Sequence, residues 1–209
     1  MKVNLVWATP DAENAIAYCA RVSNPSNQSN VETAPKLLKY LMRNKHWSPF
    51  EMANVCMEIE CTRDIARQIL RHRSFSFQEY SQRYAEVNDF EYSSVRLQDD
   101  KNRQNSLETE DKYLKTWWAA AQLRAESDCT SLYRQALARG IAKEQARKLL
   151  PEGLTMSRMY MNGTVRSWLH YIEVRTDKST QKEHRDVAEA CKKVLTDVCP
   201  SLIEVYKEI

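Results

Sequence analysis

Three glycines, at positions 140, 153 and 163, serve the whole chain of 209 residues, and no two are closer than ten residues. Glycine is what lets backbone amides close around a phosphate, so this spacing excludes a glycine-rich phosphate loop and the dinucleotide fingerprint. A chain of this kind must hold any nucleotide with side chains. The segment Arg71-His72-Arg73-Ser74-Phe75-Ser76-Phe77-Gln78-Glu79-Tyr80-Ser81-Gln82-Arg83-Tyr84 is where such side chains concentrate. Its guanidinium forks match phosphate oxygens, and its serines add hydroxyl donors.

The rest of the composition is that of a soluble globular protein. Apolar residues make up 43% and charged residues 28%, enough to build a core, and the length fits one domain over residues 1–209. A net charge of +3 is too small to predict general nucleic-acid or membrane binding. Arg63, Arg67, Arg71, Arg73 and Arg83 face only Asp64 and Glu79, so residues 63–83 hold a surplus equal to that of the whole chain. The six cysteines (19, 56, 61, 129, 191 and 199) form no Cys-x-x-Cys pair and lie at no ligand spacing from a histidine. They read as free thiols in a reducing compartment, with no metal site. No apolar run approaches the roughly 20 residues of a membrane span, and the N-terminus shows no signal peptide, so a cytoplasmic location is expected.

Patterning predicts an α+β fold, a helix-rich chain with a small, mainly antiparallel twisted sheet. Strands are expected at Val3–Trp7, Val55–Cys61, Phe90–Leu97 and Thr155–Met161, the last punctuated by Asn162-Gly163. Helices are expected from Asp11 to Ala20, 34–44, 63–73, 107–139, 142–150, 164–174 and 180–198, with Asp11 and Thr62 as N-caps, Gly140 as a stop and a further turn after Ser201. A loop is expected at Ser23–Asn30, a turn at 46–50 and a polar loop at Gln98–Asn105.

Three clusters carry candidate chemistry. On the helix over 63–73, Gln68, Arg71 and His72 stand at i, i+3 and i+4 and share a face. The simplest reading is a solvated face whose arginines complement a helix C-terminus, but the basic run continues into Ser81, Gln82 and Arg83 with Glu79 as its lone acid. Glu79 reads either as an ion-pair partner or as an acceptor for a ligand. The second cluster is His46-Trp47-Ser48-Pro49-Phe50-Glu51, and the third is Arg147 with Thr164, Arg166, His170 and Arg175. Arg166 and His170 share a helix face, whereas Arg175 is half a turn out of phase, so either the helix has ended or Arg175 serves another ligand.

The segment 71–84 resembles the signature of the flavin-dependent thymidylate synthases, Arg-His-Arg-x-x-Ser-x-Asn/Gln-Glu-x-Ser-x-Arg-Tyr. The blocks around His46–Glu51, Ala146–Pro151, Arg166-Ser167 and Val174-Arg175 resemble the family's other blocks in the same order, so the resemblance covers roughly residues 15 to 200. It implies FAD as cofactor, reductive methylation of dUMP to dTMP, 5,10-methylenetetrahydrofolate as carbon donor, NADPH as reductant, and a homotetramer with shared sites. It implies that Gln68, Arg71, Ser81, Gln82, Arg83, Arg147 and Arg175 hold dUMP, with Arg175 favouring an ionised uracil. By the same resemblance Ser48, Arg71, His72, Arg73, Ser74, Thr164, Arg166 and His170 contact FAD, Glu79 lies between the two ligands, and His46 lies near the flavin ring. Gln78 stands where many relatives carry Asn, Thr164 where some carry Asn, and Ser179 where some carry His. Two other readings compete: an oligonucleotide binder with Phe75, Phe77 and Tyr80 as stacking platforms, and a catalytically silent homologue.

Overall fold

The computed structural model describes residues 1–202, so the turn expected after Ser201 lies almost wholly outside the described residues. In chain order the elements are β1 (Lys2–Ala8), α1 (Ala12–Ala20), α2 (Ala34–Arg43), β2 (Asn54–Thr62), α3 (Arg63–Ile69), β3 (Ser76–Glu79), β4 (Leu97–Gln98), β5 (Ser106–Leu107), α4 (Lys112–Ala138), α5 (Lys143–Ala146), β6 (Met156–Thr164), α6 (Val165–Arg175) and α7 (Lys182–Val198). Short 3-10 turns cover Pro25–Asn27, Ser48–Met52 and Arg147–Leu149.

The main sheet runs β1-β2-β6-β3 and every pairing is antiparallel. On β2, Val55, Met57, Ile59 and Cys61 are at most 2% exposed, the period-two face that the sequence shows. Ile16, Leu38, Ile65, Trp168, Ile172, Val187 and Leu195 bring α1, α2, α3, α6 and α7 into the same core. A smaller cluster of Tyr133, Ala136 and Ala146 joins α4 to α5.

Several elements differ from expectation. The helix expected over 63–73 stops at Ile69, because the next amides bond three residues back (Arg71 N to Gln68 O, 3.4 Å; His72 N to Ile69 O, 3.0 Å) and the chain then joins β6 as β3. Arg71 and His72 therefore sit in a turn, not on a helix face with Gln68. Asn162-Gly163 does not end its strand: β2 pairs through both residues to Thr164. Gly163 is required for space, since a Cβ there would stand 2.4 Å from Phe75 Cδ1.

Residues 90–96 form only one bridge, Phe90 to Thr155, and Leu97 pairs with Leu107 in the hairpin described next. The Ser93 backbone is satisfied by α4 instead: its amide donates to Gln122 Oε1 (2.9 Å), and its carbonyl accepts from Trp118 Nε1 (2.9 Å) and Gln122 Nε2 (3.0 Å). The loop expected at 98–105 is the turn of a hairpin formed by β4 and β5, closed on the Asp99 carboxylate. That hairpin delays α4 to Lys112, where the Asp111 carboxylate accepts from Leu114 N. Gly140, at φ +78°, ends the stretch as expected, and the helix expected over 142–150 is α5 followed by a 3-10 turn. Asp11 and Thr62 stand at helix starts, but neither side chain caps; they bond Asn14 and Asp64 instead.

Candidate active site

The turn after α3 and the end of α6 meet at one contact. Arg175 Nε donates to His72 Nε2 across 2.9 Å, so that ring nitrogen carries no proton. Burial first, then the charges of Arg175, His170 and Arg71, hold the His72 pKa down to about 4. The His72 ring packs edge-on against Tyr171 at 4.9 Å between centroids. Arg71 and Arg73 are exposed, and among the described residues neither they nor Arg175 has a carboxylate partner. α6 is continuous through Arg175, so Arg166 and Arg175 project from opposite sides of one helix.

Gln68 lies in a line of polar side chains. Its Nε2 donates to Gln181 Oε1 (2.7 Å), and its Oε1 meets His184 Nδ1 (3.3 Å), whose Nε2 meets Tyr171 Oη (3.2 Å). His184 and Tyr171 are wholly enclosed. Burial lowers the His184 pKa to about 3 and lifts that of Tyr171 well above its ordinary value. Sequence reasoning missed both, because a lone histidine on an amphipathic helix carries no signal of what it meets.

Glu79, on β3, has its Oε1 occupied by Ser157 Oγ (2.9 Å) and stands 3.6 Å from Arg63 Nη1 and 3.7 Å from Arg67 Nη1. Those two arginines also bond Glu152. Arg63 is only 5% exposed and Glu79 is mostly buried, whereas Arg67 and Glu152 stand half in solvent, so only the Arg63–Glu79 side of the cluster is desolvated. The i, i+4 spacing of Arg63 and Arg67 was the available signal for it.

Beyond β3, Arg83 Nε reaches Glu144 Oε2 (3.3 Å) and Arg147 Nε donates to Glu144 O (3.3 Å), so the two arginines expected at phosphate meet around one residue. Ser81 Oγ accepts from Arg83 N (3.4 Å), and Gln82 is 4% exposed with its Nε2 unbonded among the described residues. β3 separates this group from Arg71 and His72; four strand residues span roughly 13 Å. One chain therefore brings Gln68, Arg71, His72 and Arg175 together at one end, and Ser81, Gln82, Arg83 and Arg147 at the other.

A cleft of about 450 Å³ lies on the opposite side of α6, lined by Trp47, Glu51, Ser74, Arg166, Ser167 and His170 among others. Glu51 accepts from Arg166 Nη1 (2.8 Å) and Thr164 Oγ1 (2.7 Å), while the Thr164 hydroxyl caps α6 by accepting from Ser167 N (3.2 Å). Ser167 Oγ donates to Ser74 O (3.3 Å), which ties the turn after α3 to α6. Ser48 opens the 3-10 turn that carries Glu51. His46 lies outside the cleft lining, edge-on to Tyr40 at 6.1 Å. Of the rings an oligonucleotide binder would use as stacking platforms, Phe75 is buried 4.8 Å from Trp168, Phe77 is half-buried, and Tyr80 Oη donates to Glu86 O.

Residues 4–201 match the family model described as thymidylate synthase complementing protein. Over 192 residues the chain is 53% identical to a probable flavin-dependent thymidylate synthase of Paramecium bursaria Chlorella virus 1, covering 91% of this chain and 88% of that protein. It is 52% identical to the flavin-dependent thymidylate synthase of Synechocystis, over 91% of this chain and 87% of that protein. The chain belongs to the flavin-dependent thymidylate synthase family. The fold agrees: the UMP/dUMP methylase PolB from Streptomyces cacaoi, solved with 5-Br dUMP, superposes with a TM-score of 0.88 at 27% identity, covering 100% of this chain and 95% of that one.

The cleft beside α6 suits the flavin of this family. It offers an aromatic wall in Trp47, a hydroxyl at Ser74 and a ring donor at His170, with the exposed Arg73 close by in sequence. The Thr164 departure is absorbed by its cap, and Ser179 is engaged by Asp177 (Oγ to Oδ1, 2.5 Å). Gln78 is exposed on β3 opposite Tyr160.

Proposed function

We propose that this chain, as a single catalytic domain, reductively methylates dUMP to dTMP, taking the carbon from 5,10-methylenetetrahydrofolate and reducing equivalents from NADPH through FAD. The observation that carries this reading is Arg175: a guanidinium held by a neutral imidazole, with no carboxylate to cancel its charge among the described residues. Bonding through Nε leaves both Nη groups for a ligand. A fixed positive charge of this kind stabilises negative charge developing on a carbonyl oxygen. Aimed at the uracil, it favours the ionised ring and so raises electron density at C5. His72 holds that fork by accepting from it, which adds a positioning role to its expected flavin contact.

Gln68 and Arg71 would hold the nucleotide from the same end. Ser81, Gln82, Arg83 and Arg147 would take its phosphate. Because β3 holds the two groups apart in one chain, a complete site draws them from different copies, in keeping with a homotetramer. Ser48, Arg71, His72, Arg73, Ser74, Thr164, Arg166 and His170 would hold FAD, with His46 contributed from its loop; the Glu51–Arg166 pair keeps the Arg166 guanidinium in one place. When bound, FAD supplies the two-electron chemistry that connects NADPH to the transferred carbon. Glu79, pinned by Arg63, Arg67 and Ser157, keeps the strand between the two groups rigid. No metal takes part in this scheme, and the reaction runs in the cytoplasm; among the described residues no helix is long and apolar enough to cross a membrane.

The purified protein is expected to be yellow and to oxidise NADPH in a manner that needs both dUMP and methylenetetrahydrofolate, with dTMP as product. A colourless protein that binds no added FAD defeats the reading. A flavoprotein that makes no dTMP selects the catalytically silent homologue.

A further inference from the structure

The line of side chains through Gln68 has a direction. At one end the Glu183 carboxylate only accepts, so Gln181 must turn its amide nitrogen toward it (3.1 Å). Gln181 Oε1 then faces Gln68 and accepts from Gln68 Nε2 (2.7 Å). Gln68 Oε1 is thereby turned to His184 and needs a donor, which is Nδ1–H (3.3 Å). Nε2 of the neutral ring is left as an acceptor of the hydrogen bond from Tyr171 Oη (3.2 Å). Tyr171 Oη has no other hydrogen-bond partner among the described residues, so the reverse direction would leave its proton buried and unbonded. Both ends of the chain therefore enforce the same polarity. The low proton affinity of the buried His184 keeps its ring in the neutral form this needs. One Gln68 N–H goes to Gln181, and the second has no partner among the described residues.

We propose that His184 and Tyr171 are positioning residues that lock the Gln68 side-chain amide in one orientation, with its free N–H presented to the nucleotide, so that this position accepts only a ligand offering an acceptor oxygen. The proposal rests on the nucleotide reading of Gln68. Neither residue touches the ligand; both act through Gln68. Tyr171→Phe keeps the packing against His72 and Trp168 but removes the donor to Nε2. His184 Nε2 is then left without its donor, the polarity is held from the Glu183 end alone, and the Gln68 amide is less firmly fixed.

The test uses the FAD-loaded protein and dUMP. Nitrogen-15 NMR of histidine-labelled protein should show His184 as the neutral Nδ1–H tautomer. By calorimetry, Tyr171→Phe should weaken dUMP binding about three- to tenfold, the scale of one lost hydrogen bond. In a Gln68→Ala background the same substitution should cost nothing further, a cancellation that a purely structural role would not produce. Glu183→Gln, at the partly exposed end, removes the second of the two constraints and should also weaken dUMP binding. An Nε2–H tautomer for His184 overturns the proposal whatever dUMP does. If Gln68→Ala weakens dUMP binding while Tyr171→Phe and Glu183→Gln do not, the proposal fails and the nucleotide reading survives. If Gln68→Ala itself leaves dUMP binding unchanged, the nucleotide role of Gln68 fails and the proposal goes with it.

Discussion

Single side chains decide the chemistry. Arg175 is the guanidinium without a counter-charge, and removing a preorganised donor of this kind costs on the order of 10²- to 10³-fold in kcat. Arg175→Ala should show that loss in steady-state NADPH oxidation while the flavin spectrum stays intact; unchanged turnover would remove Arg175 from the chemistry. Gly163 is as demanding in a different way. The Phe75 ring stands where its Cβ would be, and that ring is wedged against Trp168 and Tyr171, so it cannot step aside. Overpacking at such a site costs about 1–3 kcal/mol, and Gly163→Ala should lower the urea midpoint accordingly. Arg71 to Arg73, Arg83 and Arg175 were all legible as candidates from their residue types. His184, Tyr171 and Glu152 were not, because their importance comes from the partners that the fold supplies.

At the level of elements, the sheet strands β1, β2 and β6, the helices α1, α2, α6 and α7 and the stop at Gly140 could all be read from periodicity and caps. Errors fell where an element's fate was set by a neighbour. α3 ends early because β6 has an open edge that recruits Ser76–Glu79. Residues 90–97 stay out of the sheet because the Gln122 and Trp118 side chains satisfy the Ser93 backbone. The Thr164 cap joins α6 to the candidate flavin cleft through Glu51. Thr164→Ala removes both the cap and a Glu51 donor and should cost about 1–2 kcal/mol in chemical denaturation. It should also weaken FAD retention on gel filtration more than a surface cap substitution such as Asp111→Ala.

On the scale of the whole molecule, α4 stands out. Its 27 residues extend about 40 Å. Among the described residues little covers it apart from the Ser93 segment, α5 and the 3-10 turn that follows: Tyr113 is 82% exposed, Trp117 54%, and Leu123 and Leu132 each 52%. Apolar surface left open in this way marks an interface. Sedimentation should give about four times the 24.4 kDa chain mass, and Trp117→Glu with Leu123→Glu should shift it to smaller species and abolish turnover. A monomeric wild type would sink the shared-site scheme. Stability should also depend on pH through the buried histidines. His72 and His184 hold their protons near 6.5 when unfolded but only near about 4 and about 3 when folded. Below about 6.5 the unfolded chain therefore binds more protons, so the contribution is complete above that pH and is lost as pH falls toward 4 and then 3. Denaturation midpoints should drop from pH 7 to about pH 5, and His184→Asn should flatten the slope.

The amino-acid sequence by itself determined the class of chemistry. A chain with three scattered glycines must meet phosphate with arginines and hydroxyls, and the order of those residues along 71–84 is a property of the covalent chain. It also determined most elements, since a period of 2 or 3.6 is written in one dimension. Tertiary structure alone decided which side chains meet. Arg175 finds His72 and His184 finds Gln68 across separations of 103 and 116 residues. Hydrogen-bond partners at that range are chosen by packing, and no local pattern encodes them.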